Sequence, residues 1–501
     1  MDRYDELMSL SVRKGFIWPT ADLYGGFAGF YDYGHNGALM KRRLEDLWID
    51  YFLHLGEDYY LIDTTGILPE ASLKASGHVE HFTDILVTCT KCSESYRADH
   101  LLEEITKKSY EGVPPPEIDK LIVEHKVRCP KCKGALGPSK PFHMMFPLMV
   151  GPMGKDPAYL RPETAQGVYI NFKREFEALR RRLPLGLAIV GRAFRNEISP
   201  RQGTYRMREF IQAELQIFFN PKTFDSLVPF DSVSSNEILI ARADKKDQGG
   251  AEKVTCADLV KAGLPRFYVY HLAKVQDFFL KELAVPPERF RFAELGEGER
   301  AFYNRIHYDM EVKQDSLGGF KEIGGVHYRG DHDLTGHQNT SKVSQTVTLD
   351  GETFIPHVLE LSFGIDRMLW AELDAKYEKV KTEKGERYVL HLPPKVAPTQ
   401  VAVLPLLGKD GLPEKAMPVY EDLLKEFKCF YDEGGSIGRR YARMDEIGTP
   451  YCVTVDHQTL QDGTVTIRDR DTTAQKRPAI TELRSIIGRL VSGEAKFESL
   501  P

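Results

Sequence analysis

Near the start of the chain, apolar positions recur at the three-to-four spacing of one helix face. Leu39, Leu44, Leu47 and Phe52 alternate with Lys41, Arg42, Arg43 and Asp46, which predicts an amphipathic helix over 36–53. A strand-like stretch follows over 59–63, then Pro69. A charged helical stretch, 98–108, runs into a breaker, Val113-Pro114-Pro115-Pro116. From Phe142 the texture changes: apolar runs of strand length (168–172, 187–190, 215–219) alternate with Arg- and Glu-rich loops. The stretch 220–300 is patchier and reads as an insertion with helices around 272–283. Strand patterns resume over 303–312 and continue to Leu359, and an apolar helix follows at 365–373.

Three prolines within 390–398 mark a linker. Beyond it the alternation is regular. Strands are predicted at 401–405, 430–431, 451–455 and 465–468, and helices at 414–427, 436–447 and 480–491, which describes a small α/β domain. The expected division is 1–85, a cysteine-bearing insertion at 86–140, a main body at 141–390 and a C-terminal domain at 398–501.

Composition narrows the class. At roughly 150 residues per domain, 501 residues suggest about three domains. With 42% hydrophobic residues the chain can build sizeable cores, and 41 glycines and 29 prolines are too few for a collagen-like or low-complexity chain. A net charge of −6 excludes a globally basic nucleic-acid coat while allowing a local basic patch. No run of 18 apolar residues occurs, so no membrane span is expected. The opening MDRYDELMSLSVRKG lacks the basic-then-apolar order of a signal peptide, and a cytoplasmic enzyme is the expectation.

Candidate chemistry gathers in two places. Residues 191–214 read as a hairpin presenting Arg192, Arg195, Arg201, Arg206 and Arg208 with Glu197, Glu209 and Glu214. Guanidinium forks converging on one point suit phosphate, and Phe210 offers a face for a base; a solvated, salt-bridged hairpin is the plainer alternative. The second place is Cys89/Cys92 and Cys129/Cys132 among seven cysteines, an odd number that argues for reduced thiols. Two Cys-x-x-Cys knuckles supply four thiolates, the donor set of a tetrahedral structural Zn²⁺ site. The 36-residue spacer implies a small inserted subdomain. A redox pair or a site without metal are the alternatives.

The motifs carry a resemblance. Phe194-Arg195-Asn196-Glu197, a loop, then Arg208-Glu209-Phe210 resembles motif 2 of the class II aminoacyl-tRNA synthetases. The helix, strand and Pro69 resemble motif 1, and Glu360-Leu-Ser-Phe-Gly364-Ile-Asp-Arg367 resembles motif 3. Ser76-Gly77-His78, Arg161-Pro-Glu-Thr-Ala-Gln-Gly167 and Gly448-Thr-Pro-Tyr-Cys-Val-Thr-Val-Asp456 resemble the single-chain, homodimeric glycyl-tRNA synthetases of subclass IIa. The resemblance is weakest after Asn220.

It implies an α/β chain whose α+β catalytic core is a six- or seven-stranded antiparallel sheet flanked by helices, with a zinc-knuckle insertion and a C-terminal α/β anticodon-binding domain. It implies ATP, Mg²⁺ and structural Zn²⁺, the substrates glycine and tRNA(Gly), a homodimer and no membrane. Arg195 and Arg367 are implied as the catalytic arginines, on the α- and γ-phosphates. Glu197 and Phe210 are implied at the adenine, and Arg206 or Arg208 at the pyrophosphate. Glu322 and Ile323 match an ATP-contacting pair, with Glu322 implied at Mg²⁺ and Glu360 able to share that role. Asn196, Tyr205, Gly364 and Asp366 complete the implied ATP site. For glycine the implied residues are Arg97, Glu163, Gln212, Glu214, Glu360, Ser362, Gly364 and Arg329.

Two positions depart from the family pattern: His143 where Asn is expected, and Leu361 where Pro is usual. Arg180-Arg-Arg182 and the group Arg439, Arg440, Arg443, Arg468 and Arg470 are basic runs that suit tRNA phosphates or a solvated face. The competing readings are a synthetase for proline, threonine or serine, and a synthetase-like binding protein.

Overall fold

The structure, a computed structural model, describes residues 2–500 except 107, 109, 111, 201, 244–250, 297–303 and 383–384. Arg201 of the hairpin thus lies outside the described residues.

The body is built on a mixed sheet of nine strands among the described residues. In chain order these are β1 (Tyr59–Leu61), β2 (Leu185–Phe194), β3 (Glu209–Phe219), β4 (Glu237–Ala241), β5 (Glu252–Thr255), β6 (Phe290–Glu294), β7 (Ile306–Gln314), β8 (Gly319–Gly330) and β9 (His357–Gly364). Across the sheet they run β5-β4-β6-β7-β8-β9-β3-β2-β1. Only β1/β2 and β4/β6 pair in parallel. The expected six or seven strands become nine because the 220–300 segment adds β4, β5 and β6 to one edge rather than folding apart.

Each face of the sheet has a different cover. Ala213, Leu215 and Ile217 of β3 and Leu361 and Phe363 of β9 face a large core. The helices packing there include α1 (His35–Leu53) with Met40, Leu44 and Trp48, α3 (Arg266–Asp277) with Phe267 and Leu272, and α5 (Ile365–Lys376) with Met368 and Trp370. Each fully buried side chain of this kind contributes about 1.5–3 kcal/mol of transfer free energy. The other face is covered only in part. There α2 (Ala165–Ala178) packs Val168, Phe172 and Phe176 against Leu187 and Phe218, and α4 (His332–Ser341) adds Leu334. The run 168–172, read as strand-like, is therefore helical. Its buried positions continue to Phe176 at helical spacing, a period too long for a five-residue window to reveal. Likewise, Pro115 of the supposed breaker opens a helix, Pro115–Glu124, where its missing N–H is no loss.

The cysteine insertion is a three-stranded sheet (Thr83–Thr88, Ser95–Arg97, Lys140–His143) with two helices over its own small core. The C-terminal domain has a five-stranded sheet in which Val401 and Val403 face one helical layer and Ala402 and Leu404 the other. No helix among the described residues is long and apolar enough to cross a membrane.

Candidate active site

Because strand side chains alternate, the partly covered face of β3 carries Phe210, Gln212, Glu214 and Gln216, while the residues between face the core. Cross-strand register extends these positions into rows. Glu214 pairs with Ser362 and Ser362 with Gly325; Gln216 pairs with Glu360 and Glu360 with His327; Gln212 pairs with Gly364. Where α2 and α4 stop, the rows open into a cleft of about 220 Å³. The polar residues of the site thus occupy the face that the helices leave free.

One end of the cleft is acidic and closed. Glu163 sits in the loop before α2, a loop pinned by Arg161, whose Nε donates to the Arg192 carbonyl at 2.6 Å and whose Nη1 donates to the Thr64 carbonyl at 3.0 Å. Gln166 Nε2 donates to Glu163 Oε1 at 2.9 Å, and His78 Nε2 lies 3.4 Å from Oε2. Burial alone would raise Glu163, yet His78 and Arg329 hold its carboxyl well below the usual range. Glu214 accepts from Ser362 Oγ at 2.9 Å and Thr164 Oγ1 at 2.6 Å. Burial first, then the charges of Glu360 and Glu163, push it up to about 8. Glu360 accepts from Gln216 Nε2 at 2.7 Å and Arg329 Nη1 at 3.1 Å; burial raises it as well. Arg329 also grips Asp333 through Nε at 2.8 Å and Nη2 at 3.0 Å. With Glu163, Glu214, Glu360 and Asp333 around one buried arginine, this end is suited to receiving a cation.

The other end is basic and more open. The β2–β3 hairpin holds ten paired positions, from Leu185 opposite Phe218 to Phe194 opposite Glu209. It brings Arg195 between two rings: its guanidinium carbon is 5.4 Å from both the Phe82 and Phe210 ring centres. Arg367, from the first turn of α5, bonds Glu322 Oε1 at 2.8 Å and lies 4.6 Å over the Tyr205 ring. That partner holds Glu322 below the ordinary carboxylate range against the opposing effect of burial. Arg206 lies 3.9 Å from Glu197. Asp366 accepts from the Ile211 N–H at 2.5 Å and from Lys41 Nζ at 3.0 Å, and so ties α5 to β3 and α1.

Of the residues expected at the site, Arg195, Glu197, Tyr205, Arg206 and Phe210 line the cleft from the hairpin side. Glu322, Ile323, Gly364, Asp366 and Arg367 line it from the far strands, and Glu163, Gln212, Glu214, Arg329, Glu360 and Ser362 from the acidic end. Three others are placed differently. The Asn196 N–H donates to the Met144 carbonyl at 2.7 Å. Arg208 donates to the Glu197 carbonyl at 2.8 Å and to the Ala28 carbonyl at 2.8 Å, bracing the hairpin. Arg97 is engaged by Asp84 at 3.2 Å and Asp99 at 2.5 Å. Sequence reasoning did not single out His327, Gly325 or Asp333. The first two alternate with Arg329 along β8, a spacing that places all three on one face.

Leu361, where Pro was expected, is fully buried and keeps regular pairing with Leu215 and Val326, so Glu360 stays in register. His143 lies outside the cleft, its Nε2 3.2 Å from the Val79 carbonyl oxygen.

The four knuckle cysteines converge. Their sulfurs all lie within 4.8 Å of one another, with Cys89–Cys132 at 3.5 Å and Cys92–Cys129 at 3.6 Å. Tetrahedral bonds of about 2.3 Å to one Zn²⁺ put thiolates roughly 3.8 Å apart, so the donor set fits. The Lys91 N–H also points at Cys89 Sγ from 3.4 Å, and Gly134 leaves room at the cluster, where a Cβ would stand 3.1 Å from the same sulfur.

Three arginines of the C-terminal group are structural. Arg440 is buried and donates to the carbonyls of Pro405 and Leu406, Arg468 pairs with Asp445 at 2.9 Å, and Arg470 donates to the Gly448 carbonyl at 2.7 Å. Arg439 and Arg443 are exposed, as are Arg180, Arg181 and Arg182.

Known proteins resemble the chain over nearly its whole length. Residues 152–376 match the family described as the tRNA synthetase class II core domain (G, H, P, S and T), and residues 400–490 match the anticodon binding domain. The chain is 37% identical to the glycine-tRNA ligase of Methanothrix thermoacetophila over 99% of this chain and 98% of that protein. It is 38% identical to the glycine-tRNA ligases of Aeropyrum pernix (100% of this chain, 98% of that protein) and Pyrococcus furiosus (98% and 100%). A solved structure of prolyl-tRNA synthetase from Cryptosporidium parvum complexed with halofuginone and AMPPNP aligns with a TM-score of 0.58. It covers 98% of this chain and 75% of that chain at 14% identity, a likeness of fold alone.

Proposed function

The chain belongs to the glycine-tRNA ligases, and from that premise we propose how its cleft activates glycine and passes it to tRNA. A glycine carboxylate oxygen attacks the α-phosphorus of ATP and pyrophosphate leaves, giving glycyl-adenylate. A ribose hydroxyl at the tRNA 3′ end then attacks the glycyl carbonyl and AMP leaves. No covalent enzyme intermediate is needed, so positioning and charge stabilisation carry the catalysis.

The observation that carries this reading is the opposition of the two ends of the cleft. Arg195 neutralises the α-phosphate as negative charge builds there, Arg206 holds the pyrophosphate and Arg367 the γ-phosphate. Phe210 stacks on the adenine and Glu197 accepts from its exocyclic amine. Glu322 is the residue to hold Mg²⁺, which supplies charge neutralisation at the phosphates. At the acidic end Glu163, Glu214 and Glu360 receive the ammonium, Ser362 and Gln212 close the space beyond the α-carbon, and Arg329 keeps Glu360 in place. Arg97 belongs at this end only if it exchanges one of its two carboxylate partners for substrate. Pyrophosphate exchange measured with each amino acid in turn tests the assignment; exchange supported equally by alanine, serine or proline would refute it.

The same reading covers the finer points. Cys89, Cys92, Cys129 and Cys132 hold a structural Zn²⁺ whose loss unfolds the insertion, since metal binding is coupled to folding. The chain works as a cytoplasmic homodimer. Supporting the dimer, a groove of about 890 Å³ lined by Tyr33, Lys41, Arg42 and Ile211 lies beside the exposed Leu23, Tyr24 and Phe27, and Lys41–Asp366 joins that face to the ATP site. The C-terminal domain reads the tRNA(Gly) anticodon, with Arg439 and Arg443 exposed on its surface to meet phosphate, Arg443 by leaving its pairing with Asp432 at 3.0 Å.

A further inference from the structure

Behind the acidic end lies a second polar cluster, on the same row of the sheet. His307 on β7 pairs with His327 on β8, and His327 pairs with Glu360 on β9. The two imidazoles are 4.0 Å apart between ring centres. Asn304, just before β7, places Nδ2 3.1 Å from His327 Nδ1 and 3.4 Å from His307 Nδ1. With the amide nitrogen donating, both Nδ1 atoms accept and each ring carries its proton on Nε2. On the opposite sides of the rings, carboxylate oxygens lie near both Nε2 atoms. His307 Nε2 faces Asp309 Oδ1 at 3.0 Å, and His327 Nε2 faces Glu360 Oε1 at 3.6 Å. Burial, together with His307 and Arg329 nearby, pushes His327 well below its ordinary value, so the ring is neutral. Gly325 accommodates the pair: a Cβ there would stand 2.5 Å from His327 Nε2 and 3.0 Å from His307 Nε2. Gly325 is also the row-mate of Ser362, so the edge of the His327 ring forms a wall of the amino-acid end.

We propose that His327 is a positioning residue for the amino-acid site: its ring edge, oriented by Asn304, packed on His307 and 3.6 Å from Glu360 Oε1, keeps the Glu360 carboxylate turned toward the substrate ammonium. The proposal rests on the reading that Glu360 receives that ammonium. Arg329, Gln216 and Tyr169 Oη (3.4 Å) donate to Glu360; the His327 ring edge, 3.6 Å from Oε1, adds a longer electrostatic contact from the β8 side. A neutral N–H dipole suits this place. It stabilises the carboxylate without adding a second positive charge that would compete with the incoming ammonium.

The test is glycine-dependent pyrophosphate exchange by the full chain, with glycine KM and ATP KM measured separately for His327→Ala, His327→Asn, His327→Gln and Glu360→Gln. The amide nitrogen of Gln reaches the place of imidazole Nε2, whereas that of Asn reaches only the place of Nδ1. The expected result is a threefold to tenfold rise in glycine KM for His327→Ala and His327→Asn, the range of one ordinary polar contact. ATP KM stays unchanged, and His327→Gln stays within about twofold of the parent. An unaffected His327→Ala, a His327→Asn that matches His327→Gln, or a parallel rise in both KM values overturns the proposal. Glu360→Gln separates the two levels. If it weakens glycine while His327→Ala does not, the proposal fails alone; if Glu360→Gln itself leaves glycine KM unchanged, the reading of Glu360 fails and takes the proposal with it.

Discussion

Glu163, Glu214 and Glu360 are 8%, 2% and 4% exposed, and each is held by neighbouring side chains. Arg206 and Arg367, at the opposite end of the same cleft, keep 29% and 26% of their side chains exposed. Arg195 rests on two aromatic rings and the Pro162 carbonyl, and Arg367 lies over the Tyr205 ring beside a carboxylate partner, Glu322. Under the proposed function the contrast follows from the substrates. Glycine has no side chain to grip, so its pocket must be rigid and already formed; buried carboxylates fixed by short hydroxyl and amide donors meet that need. A nucleotide is large and changes charge during the reaction. Long guanidinium arms on a hairpin and a helix terminus can follow the phosphates as pyrophosphate departs.

If the two ends work separately, damage at one should leave the other's substrate untouched. The largest effect is expected from Arg195→Ala, which should slow glycine activation about a hundredfold or more, the scale of removing a donor to developing charge. Single-turnover adenylate formation measures it; parent-like rates would contradict the role of the hairpin. Next comes a region outside both ends. Arg439→Glu with Arg443→Glu should raise tRNA KM about tenfold and flatten its salt dependence, because phosphate contacts are lost. Pyrophosphate exchange should stay at the parent rate, whereas Arg440→Glu should unfold the C-terminal domain. Phe210→Ala should be milder, costing about 1 kcal/mol of stacking, or about fivefold in ATP KM, with glycine KM unchanged. No hydrolytic editing is expected from the 220–300 segment: every competing amino acid is larger than glycine and is refused by overlap. Hydrolysis of alanyl-tRNA by the chain would show otherwise.

Legibility from sequence differed between the two ends. The residues of the basic end lie in contiguous motifs, so Arg195, Glu197, Phe210 and Arg367 could be placed together at one site from their neighbours along the chain. Much of the amino-acid end is assembled across strands. That His327 stands between His307 and Glu360 depends on the registers of β7, β8 and β9, which no local pattern states. Arg440, Arg468 and Arg470 read as a basic run yet are buried, because backbone carbonyls hold Arg440, the Asp445 carboxylate holds Arg468, and Asp471 with the Gly448 carbonyl holds Arg470. The helix at Ala165–Ala178 looked like a strand because Val168, Tyr169, Ile170 and Phe172 crowd one short window. The 220–300 segment was legible as an insertion, but its contribution of three edge strands depends on pairings far apart in sequence.

The most direct test of the separation uses Glu214, pushed up to about 8 by burial and by its carboxylate neighbours. An ammonium beside it favours the ionised form, so glycine binding expels a proton and strengthens as pH rises toward 8. Between pH 7 and 8 the ionised fraction climbs from roughly a tenth to half, so glycine KM should fall by up to about fivefold. Measured by pyrophosphate exchange, the parent should show this fall in glycine KM while its ATP KM stays level, and Glu214→Gln should lose the pH dependence entirely. A Glu214→Gln enzyme that keeps the same pH dependence, or whose ATP KM shifts together with its glycine KM, would contradict the account.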